Sequence, residues 1–123
     1  MKRILMSINP QHVEKILNGS KKYEYRRVRC REDVSSIVVY ATYPVSKVVA
    51  EVDVLKIVED TPEGIWAQTQ KESGISEEFF FGYFRNRKKA IAYVLGEIHR
   101  YEPSLDIVQF GLTYVPQSFV YLP

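Results

Sequence analysis

The sequence has one cysteine, two histidines and no long apolar run, and each shortage excludes a class of protein. Cys30 cannot form a disulfide within the chain, which is typical of a protein in a reducing compartment. A lone cysteine and the separated His12 and His99 form no metal-ligand motif, so we expect neither a metal nor another cofactor. No segment approaches the roughly 20 apolar residues of a membrane-spanning helix, and no secretory leader follows Lys2 and Arg3. The sequence therefore predicts a cytoplasmic protein without a membrane partner.

The composition that is present is that of an ordinary folded domain. Hydrophobic residues make up 46% of the 123 residues and charged residues 26%, which suffices for one core. We therefore expect a single domain over residues 1–123. The formal net charge of +2 conceals a basic segment, because residues 1–31 hold nine Lys/Arg and only two acidic residues. Such a segment is typical either of a surface that attracts a polyanion or of exposed positions without a partner.

Turn-forming residues divide the chain into short segments with alternating character. Strands are expected at residues 2–8, 22–28, 36–43, 48–58 and 90–101. Helices are expected between Pro10 and Gly19, between Pro62 and Gly74, and over 77–84. Residues 102–105 have turn composition, and the bulky apolar residues of 112–123 predict a tail that packs on the body. The pattern predicts an α+β domain with about five strands in a curled sheet and short flanking helices.

The most distinctive segment follows the first predicted helix and carries three closely spaced ionisable residues. On the strand predicted at 22–28, the two-residue period places Glu24 and Arg26 on the same face. This pair is consistent with an exposed ion pair or with the floor of a pocket. Lys21 lies in the turn before the strand, where its amine can reach the same side. A lysine that is desolvated beside Arg26 is expected to have a lowered pKa.

The spacing Gly19-x-Lys21-x-x-Glu24-x-Arg26 resembles the defining motif of the ASCH domain family, a relative of the PUA-like RNA-binding barrels. The segments 6–10 and 12–18 are similar to the opening strand and helix of that family. Residues 116–119 are similar to the end of one bacterial and archaeal branch, so the resemblance spans most of the chain. It implies a PUA-like barrel with a mixed, mostly antiparallel sheet and an RNA-related function.

The resemblance also implies a cleft where the first helix, the motif strand and the barrel meet. A carboxylate acceptor beside a guanidinium suits the edge of a nucleobase or a phosphate. We therefore expect the partner to be RNA or a modified nucleoside or nucleotide. The residues expected to bind it are Asn9, Lys21, Lys22, Glu24, Tyr25, Arg26 and Arg27.

An enzymatic function is the alternative that the resemblance implies. One bacterial branch of the family hydrolyses the amide of an acylated cytidine with the motif lysine, a threonine three residues further on, and a glutamate from a later strand. Lys21 matches the lysine, whereas Glu24 occupies the threonine position. Lys21 and Glu24 are therefore the expected catalytic residues for an N4-acetylcytidine-like nucleoside. Either Glu51 or Glu97, each on a predicted strand, is expected to supply the later carboxylate.

An aromatic cluster at residues 79–84 allows two further interpretations. The predicted helix is apolar nearly all round, as expected if it plugs the open end of a barrel. The alternative is an exposed aromatic surface that stacks on unpaired bases or contacts a protein partner. His12 lies off the apolar stripe of its helix and His99 alternates with Ile98, so both histidines are expected to be exposed.

Overall fold

The computed structural model describes residues 2–31 and 33–123. Within these ranges the chain forms six strands and three α-helices. In chain order they are β1 (Lys2–Ile8), α1 (Pro10–Leu17), β2 (Tyr23–Arg26), β3 (Val34–Ala41), β4 (Lys47–Asp60), α2 (Pro62–Thr69), α3 (Glu77–Tyr83), β5 (Ala90–Leu105) and β6 (Phe119–Tyr121). Short 3₁₀ turns at Gln70–Glu72 and Ile107–Phe110 join the helices and precede the tail. No helix in these ranges is long and apolar enough to cross a bilayer.

The strands pair in one sheet with the order β2-β5-β4-β3-β1-β6. β1 and β3 are parallel, and the other neighbours are antiparallel, which confirms the mixed, mostly antiparallel α+β prediction. The sheet curls into a half-barrel, which brings the edge strand β2 close to β1. The guanidinium of Arg26 in β2 donates a hydrogen bond to the carbonyl oxygen of Ser7 in β1, at 2.9 Å.

The sheet differs from the prediction at the end of the chain. Residues Phe119–Tyr121 pair with Ile4–Met6 and add a sixth strand, which is too short to show a period of two. Residues 102–105, predicted as a turn, instead extend β5. The β4 partners pass from Arg100 to Leu105, so Pro103 lies in a bulge where its missing N–H breaks no ladder bond. The following turn begins after Asp106, because Asp106 and Gln109 form a reciprocal capping box.

The core lies on both faces of β1 and β3. Val13 and Ile16 of α1 pack on one face, in a buried cluster with Ile4, Met6, Ile8, Ile37, Val39 and Tyr93. On the other face, Leu5, Val38 and Val48 pack with Leu112 and Leu122 from the tail. The unbroken apolar run of β3 is thus buried on both sides, as is typical of a strand with apolar residues on both faces. The tail is held by β6 and Leu122, although Tyr114 and Val115 are exposed.

The helices α2 and α3 cover the end of the half-barrel beside β2. Thr61 and Ser76 cap them by accepting hydrogen bonds from the main-chain N–H groups of Gly64 and Phe79. Phe80 and Phe84 are buried against Tyr25, Ile65, Ala90 and Ala92. These two rings therefore have the packing role that the aromatic cluster predicted. The side chain of Phe79 lies outside this buried cluster and is 47% exposed.

Candidate functional site

A cavity of about 250 Å³ lies where the first turn of α1, strand β2 and helix α3 meet. Its polar lining is Asn9, His12, Lys21, Glu24 and Arg26, and its apolar lining is Ile8, Tyr25, Ile75, Phe79 and Tyr83. At ~30 Å³ for each water molecule, this volume equals that of about eight waters. Sites for drug-sized ligands begin at about 300 Å³, so the cavity suits one small ring system.

Two glycines, one in the turn before β2 and one packed against that turn, help to place Lys21 in the cavity wall. Gly19 follows α1 with φ +85°, a conformation that L side chains rarely adopt, as predicted for the end of this helix. Gly74 has φ +71°, and a Cβ atom there would lie 2.6 Å from the Cβ of Lys21. The main-chain N–H groups of Lys21 and Lys22 donate hydrogen bonds to the carbonyl oxygens of Lys15 and Glu72, which fixes the turn before β2.

The ammonium group of Lys21 is almost completely removed from solvent, with 3% of the residue exposed. Its Nζ donates to the carbonyl oxygen of Ser73 at 3.1 Å and lies 4.6 Å from the ring centroid of Tyr25. Burial lowers the pKa of Lys21 to about 8, against the opposing attraction of Glu24, while Lys15 and Arg26 contribute smaller lowering effects. Lys21 is therefore mostly protonated at pH 7 and can release a proton close to that pH.

Glu24 and Arg26 form an ion pair at the floor of the cavity. Nε and Nη2 of Arg26 lie 3.0 Å from Oε2 of Glu24, and the side chains are 15% and 8% exposed, respectively. Arg26 also donates to the carbonyl oxygen of Ser7 and, through Nη1, to Oγ of Ser118 at 3.3 Å. These contacts engage most of the five N–H groups of the guanidinium. The second carboxylate oxygen of Glu24, Oε1, has no hydrogen-bond partner among the described residues and remains an available acceptor.

The first turn of α1 contributes Asn9 and His12. The side chain of Asn9 makes no capping hydrogen bond, although Asn9 is the residue that precedes the helix. His12 is half-buried, so the expectation that it is exposed is wrong. The rings of His12 and Phe79 meet edge to face, with the centroids 5.5 Å apart, and Nδ1 of His12 is buried without a hydrogen-bond partner in the part of the chain that the structure describes. Burial, followed by the charge of Lys21, lowers the pKa of His12.

The helical spacing between Asn9 and His12 was a sequence signal that His12 lies at the site. Residues three apart lie on one side of a helix, so His12 shares a side with Asn9, which was an expected binding residue. The position of His12 off the apolar stripe indicated only that it avoids the main core. The aromatic wall opposite it comes from α3, which is distant in sequence and carries no comparable signal.

Three of the expected binding residues lie outside the polar lining. Tyr25 contributes its ring to the wall, but its hydroxyl is directed away and donates to Oγ1 of Thr69 at 2.7 Å. Lys22 is exposed and does not line the cavity. Arg27 is also exposed, and its guanidinium lies 4.2 Å from the ring centroid of Tyr83. Arg27 therefore borders the cavity through Tyr83 without entering it.

Neither later carboxylate lies at the site. Glu51 faces away from the cavity, where it accepts hydrogen bonds from Arg3, Ser36 and Tyr101. Glu97 is exposed and lies 3.8 Å from His99, which is also near Asp53. The prediction that Glu51 or Glu97 assists Lys21 is wrong, because the two-residue period of β4 and β5 directs them elsewhere. Among the described lining residues, Glu24 is the only carboxylate.

A curled α+β half-barrel with a polar cavity beside the first helix defines the class of domain, and comparison shows which known proteins it resembles. No protein-family model matches the chain. The crystal structure of the ASCH protein from Zymomonas mobilis superposes with a TM-score of 0.89 and 27% sequence identity, covering 99% of this chain and 88% of that one. The chain is therefore similar to an ASCH protein in fold over almost its whole length.

Curated relatives include proteins much longer than this chain. An ASCH domain-containing ribonuclease from Z. mobilis is 30% identical over 95 residues, which cover 76% of this chain and 64% of that protein. The ATP synthase subunit alpha of Ureaplasma parvum is 30% identical over 97% of this chain, which spans only 15% of that protein. The large ribosomal subunit protein uL22 of the same organism is 27% identical, and the chain spans 39% of its length.

Proposed function

We propose that this chain is an RNA-binding ASCH domain that takes one nucleotide of an RNA into the cavity. The observation that carries the proposal is the convergence of Lys21, Glu24 and Arg26 on one cavity with aromatic walls. A volume of about 250 Å³ accommodates one ring system, so the rest of the RNA lies outside.

The lining provides complementary contacts for a nucleobase. Oε1 of Glu24 accepts a hydrogen bond from a base N–H group, and the ammonium of Lys21 donates to a base or phosphate oxygen. Phe79 and Tyr83 supply ring faces for stacking, which is how unpaired bases are commonly held. Arg26 holds Glu24 in place and has little remaining hydrogen-bonding capacity for the ligand.

A basic border next to the cavity supports an extended polyanionic ligand. Arg27 stacks on Tyr83, the last residue of α3, and its Nε donates to the carbonyl oxygen of Tyr83 at 2.9 Å. The exposed loop 85–89 that follows α3 holds four Lys/Arg residues. Phosphates of the flanking nucleotides are expected to contact this border, so affinity should fall steeply with salt.

The proposal extends to cleavage of the bound RNA. The relative from Z. mobilis is named a ribonuclease, and a lysine with a pKa of about 8 is suited to proton transfer near neutral pH. We therefore propose RNA hydrolysis or transesterification as the reaction to assay in the cavity.

Fluorescence anisotropy with a labelled single-stranded RNA tests the binding proposal. Binding should weaken strongly between 50 and 200 mM salt. Glu24→Gln, which keeps the size of the side chain, should weaken binding at both concentrations. Glu97→Gln is the matched control, because Glu97 is exposed and lies outside the cavity. An absence of wild-type binding even at low salt would overturn the proposal.

A second candidate function is hydrolysis of an N4-acetylcytidine-like nucleoside. A nearly buried lysine beside a carboxylate favours it, since such a lysine can act as a base or nucleophile. Glu24 would have to replace both the threonine and the later glutamate of the related enzymes. Incubation with N4-acetylcytidine, followed by chromatography for cytidine, tests this candidate in wild type and Lys21→Ala. Cytidine formed by wild type and lost in Lys21→Ala would favour the hydrolase over the RNA-binding proposal.

A further inference from the structure

His12 is the one histidine among the described residues that line the cavity, and the Gly19 to Arg26 motif does not include it. It lies on the first turn of α1, lines the same cavity as Lys21 and Glu24, and packs edge-on against Phe79. Its Nδ1 atom is buried and has no hydrogen-bond partner among the described residues. No described side chain or main-chain group hydrogen-bonds to the ring, and because Nδ1 is buried, a bound ligand can exchange a proton only with Nε2.

We infer that His12 accepts the proton of a ribose 2′-hydroxyl in RNA bound at this cavity, while Lys21 donates a proton to the departing oxygen. The 2′-oxygen attacks the adjacent phosphorus, so the bond from phosphorus to O2′ forms and the bond from phosphorus to O5′ breaks. The 2′-hydroxyl proton goes to the imidazole, and the ammonium proton of Lys21 goes to O5′. The products are a 2′,3′-cyclic phosphate and a 5′-hydroxyl, and no further reactant is consumed. This inference rests on the proposed RNA-binding function.

The protonation states of the two groups at pH 7 are those that the step requires. Burial and the nearby charge of Lys21 lower the pKa of His12 below 6.5, so the imidazole is mostly neutral and can accept a proton. The pKa of Lys21 is about 8, so the ammonium is mostly protonated and can donate one. The charges of Lys21, Glu24, Lys15 and Arg26 act on His12, and of these four only that of Glu24 raises its pKa.

A flexible single strand suits the site, because one of its bases can enter the cavity without opening a duplex. With a base in the cavity, the adjoining ribose and phosphate lie beside His12 and Lys21, and the phosphates of flanking nucleotides lie next to the basic border formed by Arg27 and the loop 85–89. A 2′-hydroxyl is absent from DNA, so this reaction cleaves bound RNA and leaves bound DNA intact.

The experiment compares cleavage and binding in His12→Asn. A labelled single-stranded RNA reports cleavage, and the same sequence with 2′-deoxyribose throughout reports binding without reaction. His12→Asn should lower the cleavage rate by about 10²- to 10⁴-fold, as expected for the loss of a general base. Its affinity for the uncleavable strand and its melting temperature should be close to those of wild type. His99→Asn is the matched control, because His99 is exposed and lies outside the cavity.

The pH profile separates a proton acceptor from a packing residue. Wild-type cleavage should rise with pH as His12 loses its proton below pH 6.5, and fall above about pH 8 as Lys21 loses its own. In His12→Asn the limb at low pH should disappear, whereas the limb at high pH should remain. A merely structural His12 would lower the rate without removing either limb.

Each outcome has a distinct meaning. Wild-type binding without cleavage overturns the inference and leaves RNA binding intact. Cleavage that gives 3′-hydroxyl ends, or that persists in His12→Asn with an unchanged pH profile, also overturns the inference alone. If wild type binds neither strand, the proposed function and the inference both fail. A cyclic phosphate product that is lost in His12→Asn supports both.

Discussion

Arg26 and Ser7 are joined by a hydrogen bond from Nη2 to the main-chain carbonyl oxygen, at 2.9 Å, across the open side of the half-barrel. The same guanidinium holds Oε2 of Glu24 and reaches Ser118 just before β6. One side chain thus connects the edge strand β2 to β1 and to the end of the chain. The motif arginine therefore has a structural role as well as a place in the cavity wall.

Replacement of Arg26 should destabilise the fold through Glu24. Arg26→Ala removes these bonds and leaves a nearly buried carboxylate without its partner, so the free energy of unfolding should fall by about 3–5 kcal/mol. Urea denaturation of the variant and wild type measures this change. Adding Glu24→Gln to Arg26→Ala should recover part of the loss, because no buried charge then remains unpaired. A double variant that is less stable than Arg26→Ala would contradict this explanation.

Gly74 should not tolerate a side chain. Gly74→Ala combines φ +71° with a Cβ atom 2.6 Å from Cβ of Lys21, so we expect a loss of about 1–3 kcal/mol in unfolding free energy. Gly82→Ala is the matched control, because Gly82 lies in α3 with no atom within 4 Å of the added Cβ. That change should be neutral or should stabilise the protein by up to about 1 kcal/mol. Thermal melts followed by circular dichroism compare the two, and equal effects would contradict the steric argument.

The burial of Lys21 should make stability depend on alkaline pH. Its pKa is about 8 in the folded protein and 10.5 in the unfolded reference, so between these values the unfolded chain binds more protons. Stability therefore rises with pH across this window, by up to about 1.4 kcal/mol for each pH unit. The measurement is the free energy of unfolding of wild type minus that of Lys21→Met, from pH 7 to pH 10. A difference that stays constant with pH would contradict the lowered pKa. Taking the difference removes the contribution of tyrosines such as Tyr25, whose pKa is raised to about 12.

Arg27 should contribute to RNA binding through phosphate contacts and not through base selection. Arg27→Ala should weaken binding similarly for different sequences and reduce the salt slope by about 1. It also exposes the face of Tyr83 that the guanidinium covers. Lys2→Ala is the control. Lys2 and Ile8 are the two end residues of β1, and it is Ile8 that lines the cavity. Equal losses in the two variants would indicate a general charge effect without a defined border.

Much of the local structure followed from short-range chemistry. Gly19 ends the first helix in a left-handed conformation, Thr61 and Ser76 begin α2 and α3, and the apolar run of β3 is buried on both faces. Each depends on neighbours within a few residues or on one repeating pattern. The strand β6 and the extension of β5 to Leu105 were not predicted, because they depend on pairing with β1 and β4, distant in sequence.

The sequence by itself determined the order of residues from Gly19 to Arg26 and their position between a helix and a strand, and it indicated the resemblance to ASCH domains. Only the tertiary structure decided which side chains share the cavity. It brought His12, Phe79 and Tyr83 beside Lys21 and Glu24, and it directed Glu51 and Glu97 away. The physical reason is that a cavity forms between elements whose relative placement depends on how the sheet curls. That curl results from burial of apolar surface over the whole domain, and no local pattern encodes it.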